Sequence, residues 1–134
     1  MKNYFKPEVF EFVENKTIYD FVGIKVFKKY LPFTGDIARK WANKKQINLD
    51  RTTRNEELYR YELETRKNEM RHLFALIAFV LLIFIIDKKL NVFDVIFLTT
   101  LNLVLNIYPI MLQRYNRIRI IKVLLRNGLP SPYK

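Results

Sequence analysis

Two apolar runs, separated by a short polar stretch, constrain the fold of this 134-residue chain more than any other feature. The first covers residues 73–86 and the second residues 92–112, with the sequence DKKLN between them. At ~1.5 Å per residue, helices over these runs measure about 21 Å and about 31 Å, against a hydrocarbon core of about 30 Å. The second is long enough to span a bilayer, and the first reaches across by local thinning of the bilayer. The sequence therefore predicts an all-α protein built on an antiparallel, integral membrane hairpin.

The alternative fold is a soluble helical bundle with a very apolar core. Neither run has the polar stripe that a surface helix of a soluble protein keeps on its outer side, and this favours insertion into a membrane. No Gly or Pro interrupts residues 53–86. We therefore expect one charged helix that begins near Thr53, with Asp50 as the alternative cap, and that enters the membrane after His72.

The second helix is expected to continue past its apolar run and to end near Gly128 and Pro130. Residues 51–128 would then form the hairpin, which also carries the candidate functional residues, and residues 129–134 would form a tail. Residues 1–50 form a separate region, because Pro7, Gly23, Pro32 and Gly35 interrupt it repeatedly.

The net charge of +11 lies outside the apolar runs, because residues 73–112 carry two acids and two bases. Residues 113–134 carry six bases and no acid, which is typical of a cytoplasmic flank held against anionic lipid. Nucleic acid is the rival partner for such a basic chain, but the long apolar hairpin favours lipid instead. We predict a multi-pass protein of the cell membrane whose basic end faces the cytoplasm, with no nucleic-acid partner.

The N-terminal region interleaves lysines with bulky apolar side chains. In GIKVFKKYLP, Lys25, Lys28 and Lys29 alternate with Val26, Phe27, Tyr30 and Leu31, and ARKWANKK repeats the pattern around Trp41. Such a segment suits the headgroup layer of a membrane, and half-buried surface helices show the same pattern. The three lysines are candidate contacts for lipid headgroups or for the phosphates of a soluble donor substrate. A solvated, positively charged surface is the plainer interpretation.

The only histidine of the chain lies where the charged helix meets the first apolar run. At about 100° per residue, Thr65, Glu69 and His72 form one stripe along this helix. In the returning helix, Asn102, Asn106, Gln113 and Arg117 share a face, and the hairpin is expected to bring the two stripes together at one membrane face.

Two interpretations of the amides remain open, since Asn102 and Asn106 also suit simple bridging between helices. For His72 and Glu69, the ordinary interpretation is a solvated pair at the interface, and convergence with the second stripe favours function. We expect His72 to act as a general base oriented by Glu69, with Asn106, Gln113 and Arg117 as polar or oxyanion contacts. Glu64 is expected to hold Arg114.

Other chemistries find little support in the residues present. Cysteine is absent, and the single serine, Ser131, lies in the tail, so no thiol or serine nucleophile is expected. Glu69 and His72 have a metal-ligand spacing, but one histidine makes a poor zinc site, and di-iron sites repeat the motif on two helices. We predict no metal and no bound cofactor.

At these residues the sequence resembles the bacterial glycosyl-4,4'-diaponeurosporenoate acyltransferase family, whose members are membrane enzymes of carotenoid glycolipid synthesis. The resemblance lies in ETRKNEMRH, in NIYPIMLQRYNRIR and in GIKVFKKYLPFTGD. It implies substrate-binding roles for the following residues: Glu64, Thr65, Asn106, Gln113, Arg114, Asn116 and Arg117. Ile118 stands where the family often has proline, and the family's hydrophobic segment before the Gly-Lys region is not found in this sequence.

The resemblance also implies a reaction, in which a fatty acyl group moves to a sugar hydroxyl of a lipid-linked acceptor. The expected donor is a soluble thioester, either acyl-CoA or acyl carrier protein, on the cytoplasmic side. The second hypothesis is a non-catalytic membrane adaptor or scaffold that binds anionic lipid or an acidic partner. Self-association into a homo-oligomer is compatible with both hypotheses.

Overall fold

The computed structural model describes residues 2–13, 16–30, 55–86 and 90–133 of the chain. Within them the fold is an antiparallel pair of long helices with a small N-terminal assembly at one end, which confirms the all-α prediction. Helix α3 covers Asn55–Ile86. The returning helix comprises α4 (Val92–Asn102), a π-helical segment (Leu103–Ile107) and α5 (Tyr108–Arg126), which follow one another without a break.

The ends of the returning helix have local causes. The Asn91 side chain accepts a hydrogen bond from the Asp94 backbone N–H at 2.9 Å, and Asp94 returns a bond to the Asn91 N–H. This reciprocal capping box starts α4. At the other end, Gly128 adopts a φ of +72°, a conformation that favours glycine and stops a helix, as predicted from the sequence. Thr53, Asp50 and Trp41 lie outside the described residues.

The N-terminal assembly is made of short elements. Two 3₁₀ helices, Lys2–Phe5 and Val9–Glu11, precede a ladder of two antiparallel two-residue strands, β1 (Phe12–Val13) and β2 (Lys16–Thr17). Phe12 pairs with Thr17, and Val13 pairs with Lys16. Helices α1 (Ile18–Phe21) and α2 (Ile24–Tyr30) follow, joined by Gly23 at a φ of +74°.

The core has two parts, both at the charged end of the hairpin. In the first, Tyr19 and Ile24 of the N-terminal assembly pack against Leu112, Tyr115 and Ile118 of α5. In the second part, Leu58 of α3 is buried against Ile120, Val123 and Leu124 of α5, and Leu129 of the tail lies beside them. The packing therefore fixes this end of the hairpin and leaves the apolar end with little protein around it.

The apolar end exposes its side chains. Phe84, Ile85 and Phe93 are 73%, 80% and 78% exposed. The two helices are long and apolar enough to cross a membrane, and only 6% and 22% of their most apolar 18-residue stretches are buried. A helix in the core of a soluble protein is mostly buried, so this surface suits lipid rather than water.

The π-helical segment Leu103–Ile107 was not predicted, because the residues around it continue a helical pattern. It carries one extra residue in a turn and rotates the following helix relative to α4. Asn102 and Asn106, which flank and occupy the segment, are both buried. Single π-helical turns of this kind occur frequently at functional sites.

Candidate active site

Six charged side chains form a buried ionic cluster at the charged end of the hairpin, next to the apolar runs of the two helices. Its members are three carboxylates and three guanidinium groups: Glu11, Glu62, Glu69, Arg66, Arg114 and Arg117. The carboxylates are at most 1% exposed, and their formal charges balance those of the arginines. Buried charges are tolerated only when each is paired and hydrogen-bonded, and this cluster meets that condition.

Glu69 of α3 lies at the centre of this ionic cluster. Its Oε1 accepts a hydrogen bond from Arg114 Nε at 3.0 Å, and its Oε2 accepts one from an Arg117 terminal nitrogen. Both arginines belong to α5, so this one carboxylate ties the two long helices together. Charge-assisted bonds of this kind are about twice as strong as neutral ones.

Arg117 is the most deeply buried cation of the cluster, at 1% exposure. Its Nε donates to the Thr65 hydroxyl at 3.1 Å, and a terminal nitrogen donates to the Phe5 carbonyl at 3.2 Å. The Thr65 hydroxyl in turn donates to the Glu62 backbone carbonyl at 2.7 Å. The stripe predicted on α3 therefore does meet Arg117 through Thr65 and Glu69.

Arg114 connects the hairpin to the N-terminal assembly. One terminal nitrogen donates to Glu11 Oε1 at 2.9 Å, and the other donates to the Tyr4 carbonyl at 2.9 Å. The Tyr19 hydroxyl also donates to Glu11. Burial, followed by this bond, raises the pKa of Tyr19 well above its ordinary value, so the phenol stays protonated and remains a donor.

The third carboxylate, Glu62, binds the tail. It accepts hydrogen bonds from Arg66 Nε at 2.7 Å and from the Tyr133 hydroxyl. The Arg66 guanidinium also lies 4.7 Å from the centre of the Tyr133 ring. Burial and the bond to Glu62 raise the pKa of Tyr133. Nearby, the Tyr59 hydroxyl donates a hydrogen bond to the Pro130 carbonyl at 2.8 Å. These contacts hold residues 130–133 against α3.

His72 is partly exposed at the border between the ionic cluster and the apolar surface of α3. No hydrogen bond joins it to Glu69 in the described part of the chain, and the two Glu69 oxygens accept instead from Arg114 and Arg117. The expected Glu64–Arg114 pair is not formed either. Glu64 is exposed, and the described carboxylates that bind Arg114 are Glu11 and Glu69. The structure therefore brings Glu69 to the two arginines and leaves His72 beside this group.

The predicted amides divide into two groups. Asn106 Nδ2 donates to Asn102 Oδ1 at 2.6 Å, and this buried pair lies on the side of the helix that faces the hairpin interior. Gln113 and Asn116 are partly exposed and form no hydrogen bond within the described residues. Gln113 is thus an amide whose donors are available to a bound molecule.

The three lysines are also separated by the fold. Lys25 and Lys28 line a depression of about 440 Å³ together with Tyr115 and Arg119 of α5. Lys29 lies outside that lining, with its ammonium 5.4 Å from the centre of the Tyr30 ring. Among the residues that the structure describes, no group of three or more His, Asp or Glu side chains is arranged to hold a metal ion.

Several members of the ionic cluster were missed from the sequence. Glu62 and Arg66 are four residues apart, the spacing of an ordinary ion pair on a helix surface. The burial of Glu62 depends on distant residues, among them Arg117 and Tyr133. Glu11 carries no local signal, and neither does Tyr19, which donates to it, since many residues separate both from Arg114 in the chain. Arg119 carried a signal in the QRYNRIR string, where it follows Arg117 by two residues.

These features define a class: a helical hairpin with a lipid-facing surface, carrying a buried ionic cluster and a histidine at the border. A family model described as glycosyl-4,4'-diaponeurosporenoate acyltransferase matches residues 1–126. The chain therefore belongs to the glycosyl-4,4'-diaponeurosporenoate acyltransferase family, as the resemblance predicted. No individual curated protein and no solved structure matches the chain. The match includes the N-terminal assembly, both long helices and all six members of the ionic cluster.

Proposed function

We propose that this protein is a membrane-embedded acyltransferase that moves a fatty acyl group from a thioester donor to a sugar hydroxyl of a glycosyl carotenoid or a related lipid-linked sugar. The observation that carries the proposal is the family match over residues 1–126, which spans every residue assigned below. The donor, acyl-CoA or acyl carrier protein, is proposed on the chemistry that the family name implies.

The proposed setting is a two-pass inner-membrane protein whose site faces the cytoplasm. The exposed apolar surface of α3 and α4 supports insertion. The six bases that follow residue 112, with no acid among them, support a cytoplasmic location for this end of the hairpin. An acceptor lipid would then present its sugar at the border while its chain stays among the apolar helices.

His72 is the proposed general base. It accepts the proton of the acceptor hydroxyl while that oxygen attacks the thioester carbonyl carbon. The C–S bond then breaks, and the imidazolium returns the proton to the leaving thiolate, so no protein nucleophile is needed. Its partial exposure beside the apolar surface supports this role, because a sugar hydroxyl held at the membrane surface could approach it.

The roles of the neighbouring residues follow from their contacts. Gln113 is the amide that we assign to the oxyanion, because its donors are available, whereas Asn106 Nδ2 already donates to Asn102. Arg114 and Arg117 become positioning residues, since all three nitrogens of each guanidinium donate within the protein. Glu69 holds them in place rather than orienting the imidazole.

Replacing His72 by alanine tests this mechanism. The variant is expected to lose about 10²–10⁴-fold in turnover, the usual contribution of a general base. The measurement is transfer of labelled acyl groups to a glycosyl carotenoid acceptor in membranes with matched protein levels. Arg71→Ala is the matched control, because Arg71 is the exposed neighbour on the same helix, and it should keep most of the activity. Equal activity of the wild type and the His72 variant would remove His72 from the reaction.

The adaptor hypothesis keeps one observation in its favour. The ionic cluster is internally paired, and within the described residues Glu69 forms no hydrogen bond with the imidazole, so this part of the fold is also explained by structural stability alone. The same assay separates the two functions. Under the adaptor hypothesis, wild-type protein transfers no acyl group from any thioester in a panel of chain lengths.

A further inference from the structure

One side of α2 is apolar and exposed, and the proposed reaction does not use it. Val26 and Tyr30 form this apolar side, because residues four apart in a helix lie on the same face. Their side chains are 63% and 64% exposed. On the other side of α2, Ile24 is fully buried. Exposed apolar residues are common on protein surfaces, so what the apolar side contacts depends on its depth in the membrane.

The packing of α2 places its apolar side at the depth of the hydrocarbon core. The apolar run of the returning helix ends at Leu112, and Ile24 belongs to the buried cluster that contains Leu112. Three residues later, Phe27 packs on Tyr108, with the two ring centroids 4.8 Å apart. Tyr108 precedes Leu112 by four residues, which corresponds to about 6 Å along a helix. Helix α2 therefore runs from the border towards the apolar end, and Phe27 lies on the hydrocarbon side of the border.

The strand β1 of the same assembly lies farther out. Lys122 Nζ is 5.8 Å from the centre of the Phe12 ring in β1. Lys122 follows Leu112 by ten residues, or about 15 Å along the helix, whereas the headgroup layer extends about 5–8 Å beyond the hydrocarbon core. When the returning helix crosses the membrane, β1 is therefore outside the headgroup layer, and α2 and β1 lie at different depths.

The lysines of α2 are compatible with this depth. Lys25 Nζ is bound to Asp20 of α1 at 2.8 Å, and Lys28 lines a depression with residues of α5 that follow the apolar run. Both side chains are thus directed away from the apolar end. Lys29 Nζ lies 5.4 Å from the centre of the Tyr30 ring. Tyrosine is enriched where hydrocarbon meets headgroups, and the long stem of a lysine lets its ammonium group reach the headgroups from below.

We propose that α2 inserts its apolar side among the acyl chains of the cytoplasmic leaflet. Its seven residues measure about 10 Å, so α2 enters the leaflet without crossing the bilayer. The apolar side continues the lipid-facing surface of the hairpin, since Ile107, the residue before Tyr108, is also exposed. The sequence pattern of this segment suits the headgroup layer, and the packing carries one side of it deeper. The proposal rests on the proposed membrane setting of the hairpin and is independent of acyl transfer.

Single cysteines that carry a nitroxide label test this depth in vesicles of phosphatidylglycerol and phosphatidylcholine. The chain contains no native cysteine. Power-saturation electron paramagnetic resonance measures collisions of each label with oxygen, which concentrates among acyl chains, and with a water-soluble nickel chelate. Labels at Val26→Cys and Tyr30→Cys should favour oxygen over nickel several-fold more than a label at Val13→Cys. Val13 is the matched control, because it is an exposed valine in β1.

Phe97→Cys, on the exposed surface of α4, is the hydrocarbon reference, and circular dichroism verifies the folding of each labelled variant. The proposal is overturned if a label at Val26 or Tyr30 collides with nickel as often as the Val13 label does. It is also overturned if both reagents reach that label equally, as in the headgroup layer, or if protein shields it from both. With a Phe97 label that favours oxygen, such a result refutes only the depth of α2. Nickel contact at Phe97 as well would overturn the membrane setting together with this proposal.

Discussion

Glu69 is the side chain on which the two long helices most depend for their electrostatic pairing. It is fully buried and accepts from Arg114 and Arg117, which themselves hold the backbone of Tyr4 and Phe5. Removing its charge leaves two buried guanidinium groups with fewer partners. Loss of this charge would therefore weaken both the contact between the two long helices and the attachment of the N-terminal assembly.

Glu69→Gln is accordingly expected to lower the free energy of unfolding in micelles by about 3–5 kcal/mol, the usual cost of breaking a buried ion pair from one side. Glu64→Gln is the matched control. It changes the same residue type on the same helix, but its side chain is exposed, so we expect a change within about 0.5 kcal/mol. Denaturant titration followed by circular dichroism measures both. Similar losses in the two variants would contradict the central position of Glu69.

The convergence at this site was partly predictable from the sequence. Helical phase places Thr65 and Glu69 on one side of α3, and the hairpin returns Arg117 to the same level, so their meeting follows from two local patterns. The partners of Arg114 could not be predicted from such local patterns. Glu64 and Glu69 are both plausible by position, and only the packing of Glu11 from a distant part of the chain decides which carboxylates are buried.

Among the elements, α1 and α2 depend on a small set of polar contacts around Asp20. The Thr17 N–H and hydroxyl donate to Asp20 at 3.0 and 2.9 Å, and Lys25 lies 2.8 Å from it. Burial alone would raise the pKa of Asp20, but the hydrogen bonds from Lys25 and Thr17 outweigh it and lower the pKa to about 2. The carboxylate therefore stabilises these helices only while it is ionised.

This pKa predicts an acid dependence of the N-terminal assembly. The pKa of Asp20 in the folded protein lies below the ordinary value of 3.8. The contribution of Asp20 to stability is therefore complete above about pH 4 and is lost as the pH falls towards 2. We expect a loss of at most about 1 kcal/mol, since Lys25 is largely exposed to water. Unfolding of the wild type and of Asp20→Asn, measured between pH 5 and pH 2, checks this. The variant should be less stable at pH 5 and should show a flatter profile; parallel profiles would refute the assignment.

The π-helical segment marks where element prediction from this sequence stops. Capping residues and glycines define the ends of a helix, so the helix end near Gly128 could be predicted from the sequence. A single extra residue inside a helix leaves no such mark, and the apolar pattern continues through Leu103–Ile107. The predicted shared face of Asn102 and Arg117 assumed a regular helix, and the π turn changes the phase between the two residues.

For the whole molecule, the decisive property is the division between a packed, charged end and an exposed, apolar end. Both core clusters and the ionic cluster lie at the charged end, whereas Phe84, Ile85 and Phe93 project from the other. A hairpin of this kind is stable in a membrane because lipid covers the apolar surface and water reaches the charged end. The apolar runs made this division predictable. The covering of the charged end by the N-terminal assembly was not predictable, since it depends on contacts between distant segments.

The proposed two-pass orientation can be measured directly. The wild-type chain contains no cysteine, so single cysteines at Lys89 and Lys134 report their own positions without background. In intact cells, a membrane-impermeant thiol reagent should label Lys89→Cys from outside, while Lys134→Cys should react only after permeabilisation, because the proposed orientation keeps the preceding basic flank in the cytoplasm. The unmodified chain is the control and should remain unlabelled. Labelling of both positions from the same side would rule out a hairpin that crosses the membrane twice, and with it the location proposed for His72 at the cytoplasmic border.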